Sequence, residues 1–247
     1  MNEIMVEGKL PRPAPVHGLL RRRRPRTQRV YDRAASTYAL WRRTWLRKAG
    51  AAAEARMLDD LAAMLNPGDR VLDAGSGTGA LSRQIKRICP TTELTMADLS
   101  PAMLRQAEDV RASKVVTDVQ RLPFRDESFD IVVSSWVIET VDDPRQAVSE
   151  YLRVLAQEGR LLYTFCSRPE SLFVRLRTLL MRAVVRLGFA GHFLPRDQTP
   201  WHDCGSSHRT RFDGGLTTEI VLAKCCTVNT ARLEHRPRCP GAAPRSP

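Results

Sequence analysis

Hydrophobic positions recur at three- and four-residue steps through the first quarter of the chain, then shorten into apolar runs of four to seven residues. Over 27–65, Val30, Ala34, Tyr38 and Trp41 share one helical face, and the Ala-rich stretch 50–65 predicts a second helix that stops before Pro67-Gly68. Residues 70–74 (RVLDA) then read as a short buried strand, followed by a glycine loop and a helix at 79–88. A second strand at 93–97 leads into a helix from 101 to about 109, and 114–117 reads as a third strand. The most apolar run, 129–135 (FDIVVSS), is the fourth, and a helix at 144–155 precedes the fifth, 160–165 (RLLYTF). Strands alternating with helices predict an α/β class: a Rossmann-like, doubly wound, mostly parallel sheet in a three-layer α/β/α arrangement.

Beyond the fifth strand, 170–188 predicts one long helix with Leu172, Leu176, Leu179, Leu180, Val184 and Leu187 on a stripe. Its first reading is a helix buried on the sheet; the alternative lays the stripe and its flanking arginines on a membrane interface. Residues 190–214 are polar and read as a long loop, and 216–222 (LTTEIVL) as a late strand.

Charge changes the picture at the ends. The chain of 247 residues carries +12, of which 1–26 hold +5 and 231–247 hold +3, leaving +4 for the body. Eight of the sixteen prolines lie in those two segments, so 1–27 is expected to be a disordered Pro/Arg-rich extension and 231–247 a disordered basic tail. The domain between, 28–230, would comprise an N-terminal helical lid (28–66), the sheet, and an acceptor-pocket insert at about 168–214. A body this weakly basic does not suggest a nucleic-acid groove. No apolar run reaches the ~18 residues of a membrane span, and the first fifteen residues contain no apolar leader core, so the expectation is a cytoplasmic protein with at most peripheral membrane contact. The six cysteines form no CxxC pair and read as reduced thiols.

The strongest chemical signal is Val71-Leu72-Asp73-Ala74-Gly75-Ser76-Gly77-Thr78-Gly79, a strand running into a glycine loop that opens a helix. Glycines let backbone approach a ligand and turn sharply. Asp73 stands two positions before the first glycine, and Asp98 ends the next strand, where a carboxylate can accept hydrogen bonds from two ribose hydroxyls. Together they favour a nucleoside-containing cofactor. NAD is the competing ligand; GxGxG spacing in place of GxGxxG, and the acid before it, argue against it.

The segments VLDAGSGTG, MADLSPAML and VVTDVQRLPFRDESFDIVVSSWVIETVDD resemble the class I S-adenosylmethionine-dependent methyltransferases, most nearly the small-molecule, quinone and lipid branch, over about 28–165. The resemblance implies S-adenosyl-L-methionine as cofactor and a small-molecule methyl acceptor, lipophilic or aromatic. It implies that Asp73, Gly75 and Gly77 surround the methionine part, and that Asp98 holds the ribose with Leu99 beside it. Met103 would lie against the adenine, and Asp118 and Val119 would meet its amino group and a ring nitrogen. Ser134, Ser135 and Trp136 would stand beside the methyl donor, and Tyr31 and Tyr38 would belong to the lid. The usual Pro-Gly-Gly turn before the fifth strand is Gln157-Glu158-Gly159 here, and the closing strand hairpin is hard to find, so an abbreviated sheet is expected.

A sulfonium is already an activated methyl donor, so alignment and water exclusion suffice unless the acceptor must first lose a proton. Candidate bases are Glu139, Asp142 and Asp143, which otherwise read as acids before a helix N-terminus, and His192, His202 and His208; none stands out as catalytic. Trp201-His202-Asp203-Cys204 has no clean metal-ligand spacing, so no metal is expected. Two rivals remain: methylation of RNA, against which the absence of an Asn/Asp-Pro-Pro-aromatic motif after the fourth strand speaks, and a non-catalytic cofactor-binding partner subunit.

Overall fold

The computed structural model describes residues 26–169, 171–179, 183, 185–186, 191–195 and 207–224. The chain opens with α1 (Arg26–Ala34) and α2 (Tyr38–Trp45), which passes through a π-turn at Leu46–Gly50 into α3 (Ala51–Met64). The mixed body follows as β1 (Arg70–Ala74), α4 (Ala80–Ile88), β2 (Glu93–Asp98), α5 (Pro101–Arg105), β3 (Ser113–Val116), β4 (Phe129–Ser135), α6 (Pro144–Val154) and β5 (Leu155–Cys166). A short α7 (Leu172–Arg177) and the strands β6 (Ser207–Phe212) and β7 (Thr217–Ala223) complete it. The sheet has seven strands in the order β3-β2-β1-β4-β5-β7-β6, with β3 and β6 at its edges. The first five are parallel; β7 runs antiparallel to β5 and β6 antiparallel to β7.

Side-chain alternation assigns the two faces. Leu72, Val132, Tyr163, Phe165 and Ile220 pack on one side with Tyr151 of α6, while Val71, Val133 and Leu162 pack on the other with Met57 and Leu61 of α3 and Ile85 of α4. Each such fully buried large side chain contributes on the order of 1.5–3 kcal/mol. Helix starts are fixed by side-chain caps that satisfy free N–H groups. Ser100 Oγ accepts from Met103 N at 3.2 Å at the head of α5, and Asp143 Oδ1 accepts from Arg145 N and Gln146 N at 3.0 and 3.1 Å at the head of α6. Both caps are followed by proline, which is preset for the first helical position.

Several expectations are corrected. The sheet is not abbreviated: β6 and β7 form the closing hairpin, and β6 lies inside the stretch read as a polar loop. β5 begins at Leu155 instead of residue 160, because Leu155 pairs with Phe129 before a register shift that absorbs Gln157 and Glu158, the latter at φ +62°. The single helix over 170–188 is not observed as such; α7 covers Leu172–Arg177, and Leu172, Phe173, Leu176 and Leu179 are exposed, against the reading that buried them on the sheet. Leu180, Val184 and Leu187 lie outside the described residues. α1 begins at Arg26, inside the expected extension; the rest of that extension, the tail 231–247 and the 201–204 motif lie outside the described residues. Cys166 is free and buried. No described helix is long and apolar enough to cross a membrane.

Candidate functional site

Parallel strands end their hydrogen-bond ladder at the same side of the sheet, and a crevice forms where the order reverses, here between β1 and β4. The glycine loop after β1 is tied to the end of β2. Gly75 N and Ser76 N both donate to Ala97 O, at 2.7 and 3.0 Å, and Gly77 N donates to Asp98 Oδ2 at 2.8 Å. Gly75 and Gly77 hold φ values of +77° and +54°, in the left-handed region that glycine adopts without cost. A Cβ on Gly75 would meet Val137 Cγ2 at 2.2 Å, whereas one on Gly77 would project into open space with Tyr38 at 3.9 Å as its nearest neighbour. The first glycine is therefore demanded by packing, and the second leaves room for something not made of protein.

The cleft so formed is concave, as small-molecule sites are. Gly75, Gly77, Asp98, Leu99, Met103, Asp118, Val119, Ser135 and Tyr38 all line it. Asp98 Oδ1 accepts from Ser100 N at 2.8 Å. Burial pushes its carboxyl up to about 6, with the Ser100 and Gly77 N–H groups pulling the other way. Asp118 is held by Gln120, whose backbone N and side-chain amide donate to its carboxylate at 2.9–3.2 Å. Gln120 lines the cleft too, as do Thr27, Val137 and Thr140, none of which the sequence singled out.

Asp73 lies in an adjoining small cavity with Arg42, Ser76 and Tyr38. It accepts from Ser82 Oγ at 2.5 Å, and burial raises its carboxyl to about 7. Arg42 reaches the cavity from α2 while ion-paired to Glu54. An acid and a guanidinium on opposite elements suit a ligand end bearing both an ammonium and a carboxylate. Arg42 was missed because an arginine on an amphipathic helix carries no signal of which way it points. Ser134 lines none of these spaces. Its hydroxyl donates to Ala74 O at 2.9 Å and shares a hydrogen with Tyr151 Oη at 3.1 Å, on the opposite face of the sheet from Ser135. The Ser134 side chain therefore faces away from the cleft that Ser135 lines.

A third space opens beside the cleft, walled by Tyr31, Tyr38, Trp41, Trp45, Trp136 and Val185. Trp136 follows β4 at φ +61°, a conformation costing a non-glycine residue roughly 1–2 kcal/mol, and is held by its N–H to Thr164 O at 3.0 Å. That kink turns the indole into edge-on contact with Trp45, ring centres 5.6 Å apart. Tyr31 and Tyr38 meet edge-on at 6.0 Å. Glu139 sits in this wall, 3% exposed, its Oε1 accepting from Cys166 N at 3.3 Å. Among the described sequence candidates for a base, it alone is buried here; Asp142 lines the cleft, Asp143 caps α6, and His192 and His208 are exposed, while His202 lies outside the described residues. Tyr38 and Trp136 are common to all three spaces.

Residues 72–163 match a family model described as a methyltransferase domain. The ubiquinone/menaquinone biosynthesis C-methyltransferase UbiE of Stutzerimonas stutzeri is 38% identical over 111 residues, which are 41% of this chain and 43% of that protein. A malonyl-[acyl-carrier protein] O-methyltransferase of Herminiimonas arsenicoxydans is 42% identical over 98 residues, 40% of this chain and 37% of that protein. The chain thus spans about two-fifths of the length of these curated relatives. Among solved structures, a methyltransferase of Thermotoga maritima described as a possible histamine N-methyltransferase superposes with a TM-score of 0.58 at 18% identity, covering 79% of this chain and 99% of that one; it is a likeness of fold.

Proposed function

We propose that this chain, whose residues 72–163 form a methyltransferase domain of the class I, S-adenosylmethionine-dependent kind, moves the methyl group of that cofactor to a small, largely apolar acceptor. One observation carries the reading: a cleft tipped with an acid, a small charged cavity and an aromatic chamber converge on Tyr38 and Trp136. A donor with a nucleoside in the cleft and an amino acid in the charged cavity would present its sulfonium at that junction, facing the chamber. Asp98 would hold the ribose, Met103, Asp118 and Val119 the adenine, and Asp73 with Arg42 the amino acid end. When bound, the cofactor supplies an activated methyl group. The protein's part is to align the acceptor and exclude water, with Tyr38 and Trp136 as the walls of the passage. The quinone and acyl-carrier chemistries named for the two relatives are both small-molecule methylations, and the aromatic chamber favours the former class over nucleic acid.

Calorimetric titration with S-adenosylhomocysteine tests the cofactor half. Wild-type protein is expected to bind at micromolar concentration, and Asp98→Ala to weaken binding by ~1–3 kcal/mol, about 5- to 150-fold. Because Asp98 titrates at about 6, affinity should also fall as pH drops through that value, when the carboxylate loses an acceptor site. Absence of binding by folded wild-type protein would overturn the proposal. Turnover with lipophilic and aromatic acceptors then separates an enzyme from a cofactor-binding subunit.

A second reading concerns delivery. Leu172, Phe173, Leu176 and Leu179 are exposed, Phe173 by 71%, and Val185 further along the same segment lines the chamber. These side chains would rest on a lipid surface and admit a lipophilic acceptor from it. Phe173→Glu is expected to reduce the fraction of protein sedimenting with anionic phospholipid vesicles severalfold and leave S-adenosylhomocysteine affinity unchanged. Equal sedimentation of both proteins would remove the membrane from the account.

A further inference from the structure

Native proteins rarely bury a polar group without a partner, so each instance asks for an explanation. Two line the aromatic chamber. Glu139 is 3% exposed and its Oε2 has no hydrogen-bond partner, and Trp136 is 9% exposed and its Nε1 has none either. They are of opposite character: a carboxyl oxygen that accepts and an indole N–H that can only donate. We infer that this pair is the polar recognition element for the methyl acceptor, which is an uncharged molecule with a hydroxyl on an apolar, planar body, and that Glu139 takes that hydroxyl's proton. The inference rests on the proposed function and deepens it.

A hydroxyl is the neutral group whose chemistry matches both, with a hydrogen to give Glu139 and a lone pair to offer the indole N–H. A carboxylate acceptor would set a second negative charge against a buried acid. An ammonium would suit Glu139 and the aromatic walls, but it has no lone pair for Trp136 and would share the chamber with Arg42. Burial holds the Glu139 carboxyl at about 7, so that it is a competent proton acceptor near neutrality. Its other oxygen is anchored by Cys166 N, which leaves Oε2 as the reacting atom. In the step, the acceptor's O–H bond breaks, the proton goes to Oε2 and the bonding pair stays with the acceptor. The acceptor then bonds to the methyl group while the pair of the old bond stays with the donor's sulfur.

The test uses the full chain saturated with S-adenosylhomocysteine and three probes of one shape: 2-naphthol, 2-naphthylmethylamine and 2-naphthoate. Calorimetry is expected to detect 2-naphthol and to find the other two at least tenfold weaker. Glu139→Leu and Trp136→Phe should each weaken 2-naphthol about tenfold or more, with S-adenosylhomocysteine affinity within twofold of wild type in Glu139→Leu, which lines the chamber but not the cofactor cleft. Glu139→Gln keeps an accepting oxygen but cannot take a proton; it should bind 2-naphthol within about threefold of wild type, and turn over hydroxylated acceptors at least ~100-fold more slowly. Preference for the amine would make the chamber a cation cage and overturn the inference, as would equal binding of the carboxylate or unchanged affinity in both Glu139→Leu and Trp136→Phe. Should Glu139→Leu not fold, the contrast between binding and turnover in Glu139→Gln decides. Loss of S-adenosylhomocysteine binding in the wild type would instead strike at the proposed function itself.

Discussion

Gly75→Ala is expected to unfold on the order of 10 °C below the wild type in a thermal melt, while Gly77→Ala, two residues on, melts within a few degrees of it. At Gly75 two costs combine. The φ of +77° penalises any side chain by roughly 1–2 kcal/mol, and the new Cβ would stand 2.2 Å from Val137 Cγ2, an overlap that adds roughly 1–3 kcal/mol. A domain of this size loses about 2–4 °C per kcal/mol. At Gly77 only the first cost applies, because the nearest atom is Tyr38 Cε1 at 3.9 Å. There the methyl group enters the cleft, so Gly77→Ala should instead weaken S-adenosylhomocysteine at least about tenfold. Adding Val137→Ala to Gly75→Ala relieves the overlap but not the backbone strain, and should recover part of the melting temperature. Equal losses of stability at the two glycines would contradict this division of labour.

The second large effect lies on β7. Glu219, on β7 opposite Thr164, is 1% exposed with neither carboxylate oxygen hydrogen-bonded, and burial raises its carboxyl to about 8, with Asp60 adding to the rise and Arg56 opposing it. The sign follows from linkage. Below the ordinary value of 4.5 the group is neutral in both folded and unfolded chains, and its burial costs least. Between 4.5 and about 8 the unfolded chain ionises and the folded one does not, so stability declines with rising pH, by up to about 1.4 kcal/mol per unit. Above about 8 the loss is complete. Glu219→Leu removes the titrating group and fills the same space, so chemical denaturation at pH 8 should show it more stable by on the order of 2 kcal/mol, and at pH 4.5 by much less. Glu219→Gln should flatten the pH dependence with a smaller gain, since its amide is left equally unpartnered. A wild type whose stability rises between pH 5 and 8, with the Gln variant following in parallel, would refute the assignment.

How much of this was legible in the chain depends on which signals are local. The strand-loop-helix at 70–88 could be read because the apolar run, the three glycines and the acid lie within ten residues and each serves the same turn. Asp98 and Asp118 could be placed because they sit at or just past strand ends, which the sheet brings together whatever else happens, and Met103 because its helix starts directly after one of them. Ser134 and Ser135 could not be told apart in this way. Strand side chains alternate, and one position decides between Tyr151 beneath the sheet and the cleft above it. β6, SHRTRF, offered no apolar alternation because only its pairing with β7 makes it a strand. The stripe at 170–188 had the right period for burial, but period alone does not say whether anything covers the stripe. Glu139 looked like an acid before a helix. What makes it an acid in a chamber is the left-handed turn at Trp136, which the residue type does not announce, and the return of Cys166 from β5, which is 27 residues away.

The sheet has two open margins, and their composition bears on how the protein behaves at high concentration. A bare strand edge is a template on which another chain's edge can zip. Among the described residues nothing pairs with the outer side of β3 or β6. β3 carries Lys114 and β6 carries His208, Arg209 and Arg211, with His208 and Arg211 exposed. Bringing any two of these margins together would set cation against cation across a ladder a few ångströms wide. The polarity that hid β6 from a sequence reading is thus what keeps molecules from joining sheet to sheet into fibres.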